Sequence, residues 1–180
     1  MKHALTLLAR WARTWLIALL PPVATLAAAW AMAAPLDPEG STGAAFTLAA
    51  RGVQVYECRA KGEAFEWTFV APEAELFDAS GKRVGSHGAG PHWLANDGSR
   101  VEAKVVSRQD APAAGAIPWL LLQAPGGDGQ GTFGRVGHIQ RINTQGGLAP
   151  AAGGCKRETL GQTARVPYTA DYRFLERARP

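Results

Sequence analysis

The chain has 180 residues, of which 47% are hydrophobic and 19% are charged, and its formal net charge is +4. This length suits one domain with its own core, and the apolar content excludes a chain that is mainly disordered. Neither a heptad pattern nor another repeat runs through the sequence, so coiled coils and repeat arrays are excluded as well.

The first 33 residues have the layout of a secretory signal peptide. Basic residues precede an uncharged run from Thr14 to Leu36, and Ala-Met-Ala at positions 31–33 supplies the small residues that signal peptidase recognises. Cleavage there leaves a mature chain of residues 34–180. The alternative is an uncleaved membrane anchor, although the proline pair at positions 21 and 22 would interrupt its helix.

The positive charge of the chain belongs largely to this leader. Residues 1–33 hold three basic residues and no acidic one, so their removal lowers the formal charge of +4 by three units. The basic surface that nucleic-acid binding requires is then missing, and nucleic acid is not a predicted partner. A membrane is predicted as a partner only through an uncleaved N-terminal segment, and the oligomeric state stays open.

Export also decides how the two cysteines are interpreted. Cys58 and Cys155 are the only cysteines, and in an oxidising compartment such a pair predicts a disulfide. The two positions are 97 residues apart (155 − 58). A bridge that closes a loop of this length would stabilise the fold by about 4 to 5 kcal/mol in the loop-entropy model. A metal pair or a catalytic thiol is the alternative, but neither cysteine has a CxxC spacing or an adjacent histidine.

Short strands are predicted in the first half of the mature chain, where frequent Gly and Pro prevent long helices. Residues 53–58 and 65–70 alternate between polar and apolar side chains, and the link between them is short enough for a hairpin. Turns are predicted at residues 80–82 and 96–99, and a further alternating run follows at 101–105.

The second half continues this pattern. The apolar run 117–123 predicts a strand in the centre of a sheet, and 136–143 is predicted as a strand because glycines interrupt its helical spacing. A loop over 146–161 carries the second cysteine, and 166–174 is the last predicted strand.

Regularly spaced strands with turns between them predict an all-β fold. We expect a single-domain sandwich or partly closed barrel of short antiparallel strands with one disulfide. The predicted domain covers residues 51–180, and residues 34–50 form an N-terminal leader of the mature chain.

The densest polar group lies between His87 and Ser99. A loop of this composition can bring His87, His92 and Asp97 together, as a metal site or an acid/base site would need. The alternative is a turn in which His87 caps backbone groups and Trp93 fills the core. If exposed, Trp93 would suit the flat face of a sugar or another small molecule.

A second polar group spans residues 140–144. There Arg141 could bind a carboxylate or phosphate, although the exposed face of a strand explains the same pattern. The predicted ligand-binding residues are therefore His87, Trp93, Asp97 and Arg141, for a small molecule or a glycan. No catalytic residue, metal ligand or cofactor is assigned.

Several strings resemble domain-of-unknown-function family 3455. They are GVQVYEC at 52–58, HGAGPHW at 87–93, GAIPWLLL at 115–122 and IQRINTQGG at 139–147. The resemblance spans about residues 52–174 and implies an exported protein, usually a single such domain, with no settled activity. This chain departs from the family at His92, where the pattern often has Thr or Ser, which puts a role for that histidine in doubt.

These observations predict an exported β-domain, periplasmic or secreted, that acts as a ligand-binding or envelope-associated module. The alternative is a small periplasmic enzyme or metal-site protein that uses the loop from His87 to Ser99.

Overall fold

The structure is a computed structural model that describes residues 36, 38, 45–125 and 130–177. Within these residues the regular structure is nine β-strands and two single-turn 3₁₀ helices, and no helix is long and apolar enough to cross a membrane. The strands are β1 (Ala45–Lys61), β2 (Ala64–Phe77), β3 (Arg83–Gly88), β4 (His92–Ala95), β5 (Arg100–Glu102), β6 (Lys104–Gln109), β7 (Trp119–Gln123), β8 (Val136–Gly146) and β9 (Thr163–Glu176).

The strands form one antiparallel sheet in the order β5-β4-β3-β2-β1-β9-β8-β7-β6. Every neighbouring pair except β1 and β9 is consecutive in the chain, so tight turns make most of the connections. The pairing of β1 with β9 joins the two halves and brings the ends of the domain together. This is the order of an up-and-down barrel.

A single residue connects the two outer strands of this sheet. β5 and β6 are separated only by Ala103, whose amide N–H donates to the carbonyl of Pro91. Antiparallel pairing along the sheet gives β5 and β6 the same direction, so together they form one strand interrupted at Ala103. This strand bonds β4 with its first part and β7 with its second, which nearly closes an eight-stranded barrel.

Alternating side chains fill the interior. In β1 the buried positions include Leu48 and Ala50, and in β9 they include Tyr168, Ala170 and Tyr172. This is the period of two that places every second side chain on one face of a strand. The core is therefore the inside of the barrel, as expected when a curved sheet encloses its apolar face.

One end of the barrel is filled by Phe133, which is fully buried against Phe46 and Phe174. A carboxylate fixes the turn that carries this ring. Asp97 Oδ2 accepts from the backbone N–H and the hydroxyl of Thr132 at 2.8 and 2.7 Å. Asp97 Oδ1 accepts from the backbone N–H and hydroxyl of Ser99 as well, so one exposed side chain joins two turns at this end.

The disulfide between Cys58 and Cys155 is present, as predicted. It attaches the loop between β8 and β9 to the end of β1. This loop contains both 3₁₀ helices, Ala152–Gly154 and Arg157–Thr159. Two backbone hydrogen bonds of 2.9 Å reinforce the attachment, from Cys58 to Gln162 and from Gly161 to Cys58.

The all-β prediction is confirmed, and the barrel is the form that the chain adopts. β1 begins at Ala45, inside the segment 34–50 that we treated as a leader. β7 bonds β6 and β8, so the apolar run at 117–123 supplies a strand with neighbours on both sides. The predicted signal peptide, residues 1–33, lies outside the described residues.

Replacing both cysteines by alanine should lower the free energy of unfolding by about 4 kcal/mol, because the bridge closes a long loop in the unfolded chain. Urea unfolding of wild type and Cys58→Ala/Cys155→Ala measures the difference. Wild type kept reduced is the control, since it loses the bridge without losing side-chain volume. Equal stability of the oxidised and reduced proteins would contradict the prediction.

Candidate functional site

The barrel encloses a cavity of about 470 Å³. The cavity lies beside Gln54 and Tyr56, in the second half of β1. Phe133, the plug of the barrel, contacts Phe46 near the start of the same strand and so lies at the opposite end. This volume lies within the range of small-molecule sites in proteins. One end of the barrel is therefore packed solid, and the other holds space.

Apolar side chains line most of this cavity. The inner wall includes Ile117, Leu120 and Leu122, which are buried. At the mouth, larger apolar groups are exposed to solvent. These mouth residues, with their exposed fractions, are Phe69 (49%), Val70 (44%), Val105 (50%) and Leu148 (46%).

Two β-bulges shape the mouth. The register between β1 and β2 skips Val70, and the register between β6 and β7 skips Val106. A bulge places two residues opposite one and interrupts the alternation of side chains, which is common at the rims of barrels. Consecutive apolar residues thereby become exposed at the mouth, in a pattern that regular strands would not give.

Three aromatic rings form the deepest part of the cavity. The ring of His87 stacks on Trp93 with centroids 4.4 Å apart, and Tyr172 makes edge-to-face contacts with both rings at centroid distances of 4.9 and 5.3 Å. All three residues line the cavity and are at most 4% exposed. Trp93 also contacts Phe174, so the aromatic packing continues to the plugged end.

His87 is held in its neutral form. Its Nδ1 lies 2.8 Å from the carbonyl oxygen of His92, so Nδ1 carries the proton and donates it, and Nε2 is left as an acceptor. Burial lowers the pKa of His87 to about 3, and the positive charge of Arg141 acts in the same direction. At neutral pH this histidine contributes a dipole to the cavity rather than a charge.

Arg141 supplies a fixed positive charge. It projects from β8, where Nε and Nη2 donate to the carbonyl of Pro118 at 3.1 and 2.8 Å. These two bonds use two of the five guanidinium N–H groups. The charge of Arg141 also opposes the rise in pKa that burial causes at Tyr56 and Tyr172, so its field reaches across the cavity.

Further buried polar groups near the floor of the cavity, which is formed by the rings of His87, Trp93 and Tyr172, make no well-formed hydrogen bond with the described residues. They are Nε2 of Gln54 and the hydroxyls of Tyr168 and Tyr172, all in residues at most 3% exposed. Tyr172 approaches Tyr168 and Arg141, and Tyr168 approaches Gln54, closely enough for weak polar contact but without the geometry of a well-formed hydrogen bond. Buried polar atoms without partners are uncommon in native proteins, because each costs about 1–3 kcal/mol. Gln54 and Tyr172 line the cavity, where a ligand could satisfy them.

The structure brings three of the four predicted ligand-binding residues together. His87, Trp93 and Arg141 line the same cavity, whereas Asp97 is not among its lining residues. Hydrogen bonds from Ser99 and Thr132 hold the pKa of Asp97 below its ordinary value, and these contacts fix the turns near the plug.

The segment from His87 to Ser99 is not the predicted loop, because it comprises the end of β3, a turn, β4 and the turn at 96–99. Strand pairing therefore keeps its polar side chains apart. His87 points inward, and Nδ1 of His92 donates to the carbonyl of Ala89 at 2.6 Å, on the surface. Asp97 bonds the turns at the plugged end. Among the described residues there is no group of three or more His, Cys, Asp and Glu side chains that could hold a metal ion.

The second predicted polar group is also divided. Gln140 is buried and its Nε2 donates to the carbonyl of Leu36, and Thr144 donates to the carbonyl of Ile117. Asn143 has a positive φ of 51° and donates to Asp171 on the surface. Of this group, Arg141 alone appears among the residues that line the cavity.

Sequence reasoning did not single out Gln54, Tyr56 and Tyr172 as site residues. The alternation of side chains places Gln54 and Tyr56 on one face of β1, and Tyr168 and Tyr172 on one face of β9. Alternation alone does not tell which face is inside. The hydroxyl of Tyr56 donates to the carbonyl of Gly147 at 2.7 Å and so ties the loop after β8 to the cavity wall.

Comparisons with known proteins give one match. Residues 38–176 match the family model described as a protein of unknown function, DUF3455. No curated protein and no solved structure matches this chain.

Acid should destabilise the protein through His87. In the unfolded chain this histidine takes up a proton near pH 6.5, whereas burial lowers the pKa of His87 in the folded protein to about 3. Its stabilising contribution is present above pH 6.5 and is lost as the pH falls. The free energy of unfolding should decrease by about 1.4 kcal/mol per pH unit below that value.

Urea unfolding of wild type and His87→Gln at pH 7, 6 and 5 measures this slope over a range in which most carboxylates remain ionised. The control is His138→Gln, because burial lowers the pKa of His138 as well, at a site away from the cavity. His87→Gln should flatten the slope much more than the control. The interpretation is wrong if wild type and His87→Gln show the same slope.

Proposed function

Because this chain belongs to the DUF3455 family of proteins of unknown function, its function has to be inferred from the site. We propose that it is an exported binding domain that holds a small, largely apolar molecule inside its barrel. The observation that carries this proposal is the cavity of about 470 Å³, open at a mouth of exposed apolar side chains. Closed barrels of about eight strands commonly hold one small ligand in this way.

The character of the walls favours an apolar body over a glycan. Leu120, Leu122 and Ile117 offer no hydrogen bonds, and sugar hydroxyls placed against them would lose their bonds to water. The polar groups are concentrated near the floor, where they can orient one end of a ligand. Trp93 is fully buried, so a ligand can reach it only through the cavity.

The exported location is supported by the disulfide, because such bonds persist in oxidising compartments outside the cytoplasm. The layout of residues 1–33 supports the same location. Together they favour a periplasmic or secreted protein.

Export predicts a defined product. The protein recovered from the exported fraction should have the mass of residues 34–180 less two hydrogens, because the signal peptide is removed and Cys58 and Cys155 are joined. Intact-mass spectrometry with and without reductant measures both changes. A full-length mass, or two free thiols, would contradict this part of the proposal.

Binding can be tested with a neutral apolar probe, N-phenyl-1-naphthylamine, whose fluorescence rises in apolar sites. A carboxylate at the mouth should weaken binding, because entry and contact then require its desolvation. We expect Leu148→Glu to reduce the affinity by about fivefold or more. Fluorescence titration of the oxidised, mature protein measures the change.

Leu160→Glu is a matched control. Leu160 is 52% exposed, close to the 46% of Leu148, but it does not line the cavity. Its substitution should leave the affinity of the probe within about twofold of wild type, as for surface changes in general. Absence of saturable binding to wild type, or equal effects of the two substitutions, would overturn the proposal.

A further inference from the structure

The charges around the cavity are all of one sign. Its described lining residues include Arg141 and Arg108 but no Asp or Glu. His87 is neutral, so it neither balances nor adds to this charge. The cavity is therefore a positive site with apolar walls.

Arg141 has no counterion within the described part of the chain. Seven ion pairs occur among the described residues, and none of them includes Arg141. Its two bonds to the Pro118 carbonyl fix the guanidinium but leave its charge uncompensated. A partly buried cation is costly unless a negative group approaches it. A ligand is the natural source of that group.

A second observation points to the same place. Tyr172 lines the cavity and is 1% exposed, and its hydroxyl lies beside Tyr168 and Arg141 without a well-formed hydrogen bond to either. Gln54 also lines the cavity and is 2% exposed, and its Nε2 has no well-formed hydrogen bond in the described structure. Both groups are donors, as are the remaining N–H groups of Arg141. The unsatisfied donors therefore favour an acceptor-rich, anionic head group.

We propose that the ligand is an apolar monocarboxylate whose carboxylate binds Arg141 and the Tyr172 hydroxyl while its body fills the cavity. This inference rests on the proposed binding function and specifies its ligand class. A planar carboxylate matches the guanidinium geometry, and one fixed cation with neutral donors suits a single negative charge. The apolar walls then enclose the rest of the molecule.

Three ligands of equal chain length test the inference: decanoate, 1-decanol and decylamine. Their affinities are measured by displacement of N-phenyl-1-naphthylamine from the mature protein at pH 7.5. At this pH decanoate is an anion, decanol is neutral and decylamine is a cation. We expect decanoate to bind about tenfold more tightly than decanol, since hydrogen bonds to charged groups are the strong ones. Decylamine should bind weakest of the three.

Arg141→Gln should abolish the preference for decanoate and leave the affinity for decanol within about twofold, since only the ionic contact is lost. Arg108→Gln is the matched control, because Arg108 also lines the cavity but is exposed on β6. It should retain most of the preference. Equal losses in the two variants would mean that general charge attraction, rather than contact with Arg141, selects the ligand.

Tyr172→Phe provides a test that does not depend on the folding of Arg141→Gln. It removes one oxygen from a buried ring and should weaken decanoate binding by about threefold or more with no change for decanol. Unchanged decanoate affinity would remove Tyr172 from the site.

Failure of this inference and failure of the binding function give different results. If the probe and decanol bind but decanoate binds no more tightly than decanol, the carboxylate assignment is wrong and the binding function stands. If neither the probe nor decanol binds, both are wrong.

Discussion

Pairing between the first and last strands turns a curved sheet into a barrel. β1 and β9 bond along most of their length, from Ala45 opposite Leu175 to Glu57 opposite Thr163. All other pairings join strands that follow one another in the chain, so each could form in an open sheet. The closing pair places Tyr168, Tyr172 and Phe174 of β9 across the interior, and without it neither the plug nor the cavity floor would be assembled. The disulfide at Cys58 lies just beyond this pair and holds the following loop against it.

The two ends of the closed barrel are different in kind. At one end Phe133 fills the interior, and Asp97 joins its turn to the turn at 96–99 by accepting two hydrogen bonds from Thr132 and two from Ser99. At the other end, bulges and an interrupted strand leave space, and the polar groups there are only partly satisfied. Native interiors are usually close-packed, with few unpaired polar atoms. A departure from both rules at one place is expected where a protein is organised for a ligand rather than for maximal stability.

Local chemistry made much of the fold predictable. The turns at residues 80–82 and 96–99 are specified by Asp, Asn, Ser and Gly within a few residues, and Asp78 and Asp97 accept from backbone groups there as turn residues do. Alternation identified the middle of β1 and the first half of β2, whereas β4 lies inside the segment from His87 to Ser99 that the sequence predicts as a loop. The Cys58–Cys155 bridge was predictable because the leader-like N-terminus favours an oxidising compartment, where the only two cysteines of a chain are expected to pair.

The arrangement of the site could not be read in the same way, because it depends on pairing between distant segments. Alternation places Gln54 and Tyr56 on one face of β1 but does not say that this face is inside. His87 and Asp97 are ten positions apart, yet one packs at the cavity floor and the other at the plugged end. The bulges that skip Val70 and Val106 bend their strands where the barrel curves, and no distinct local sequence pattern marks them.

The strand interrupted at Ala103 leaves strand edges, unpaired within the described residues, at which another chain could bind. In the described part of the chain, β5 and β6 each bond only one neighbouring strand, so each has an edge of peptide groups with no strand beside it. Such edges invite pairing with a second chain and, from there, aggregation. Here Lys104 and Arg108 lie exposed along β6, and the same strand of another copy would bring like charges together. Repulsion along this edge therefore opposes the pairing of β6 with the same strand of a second copy.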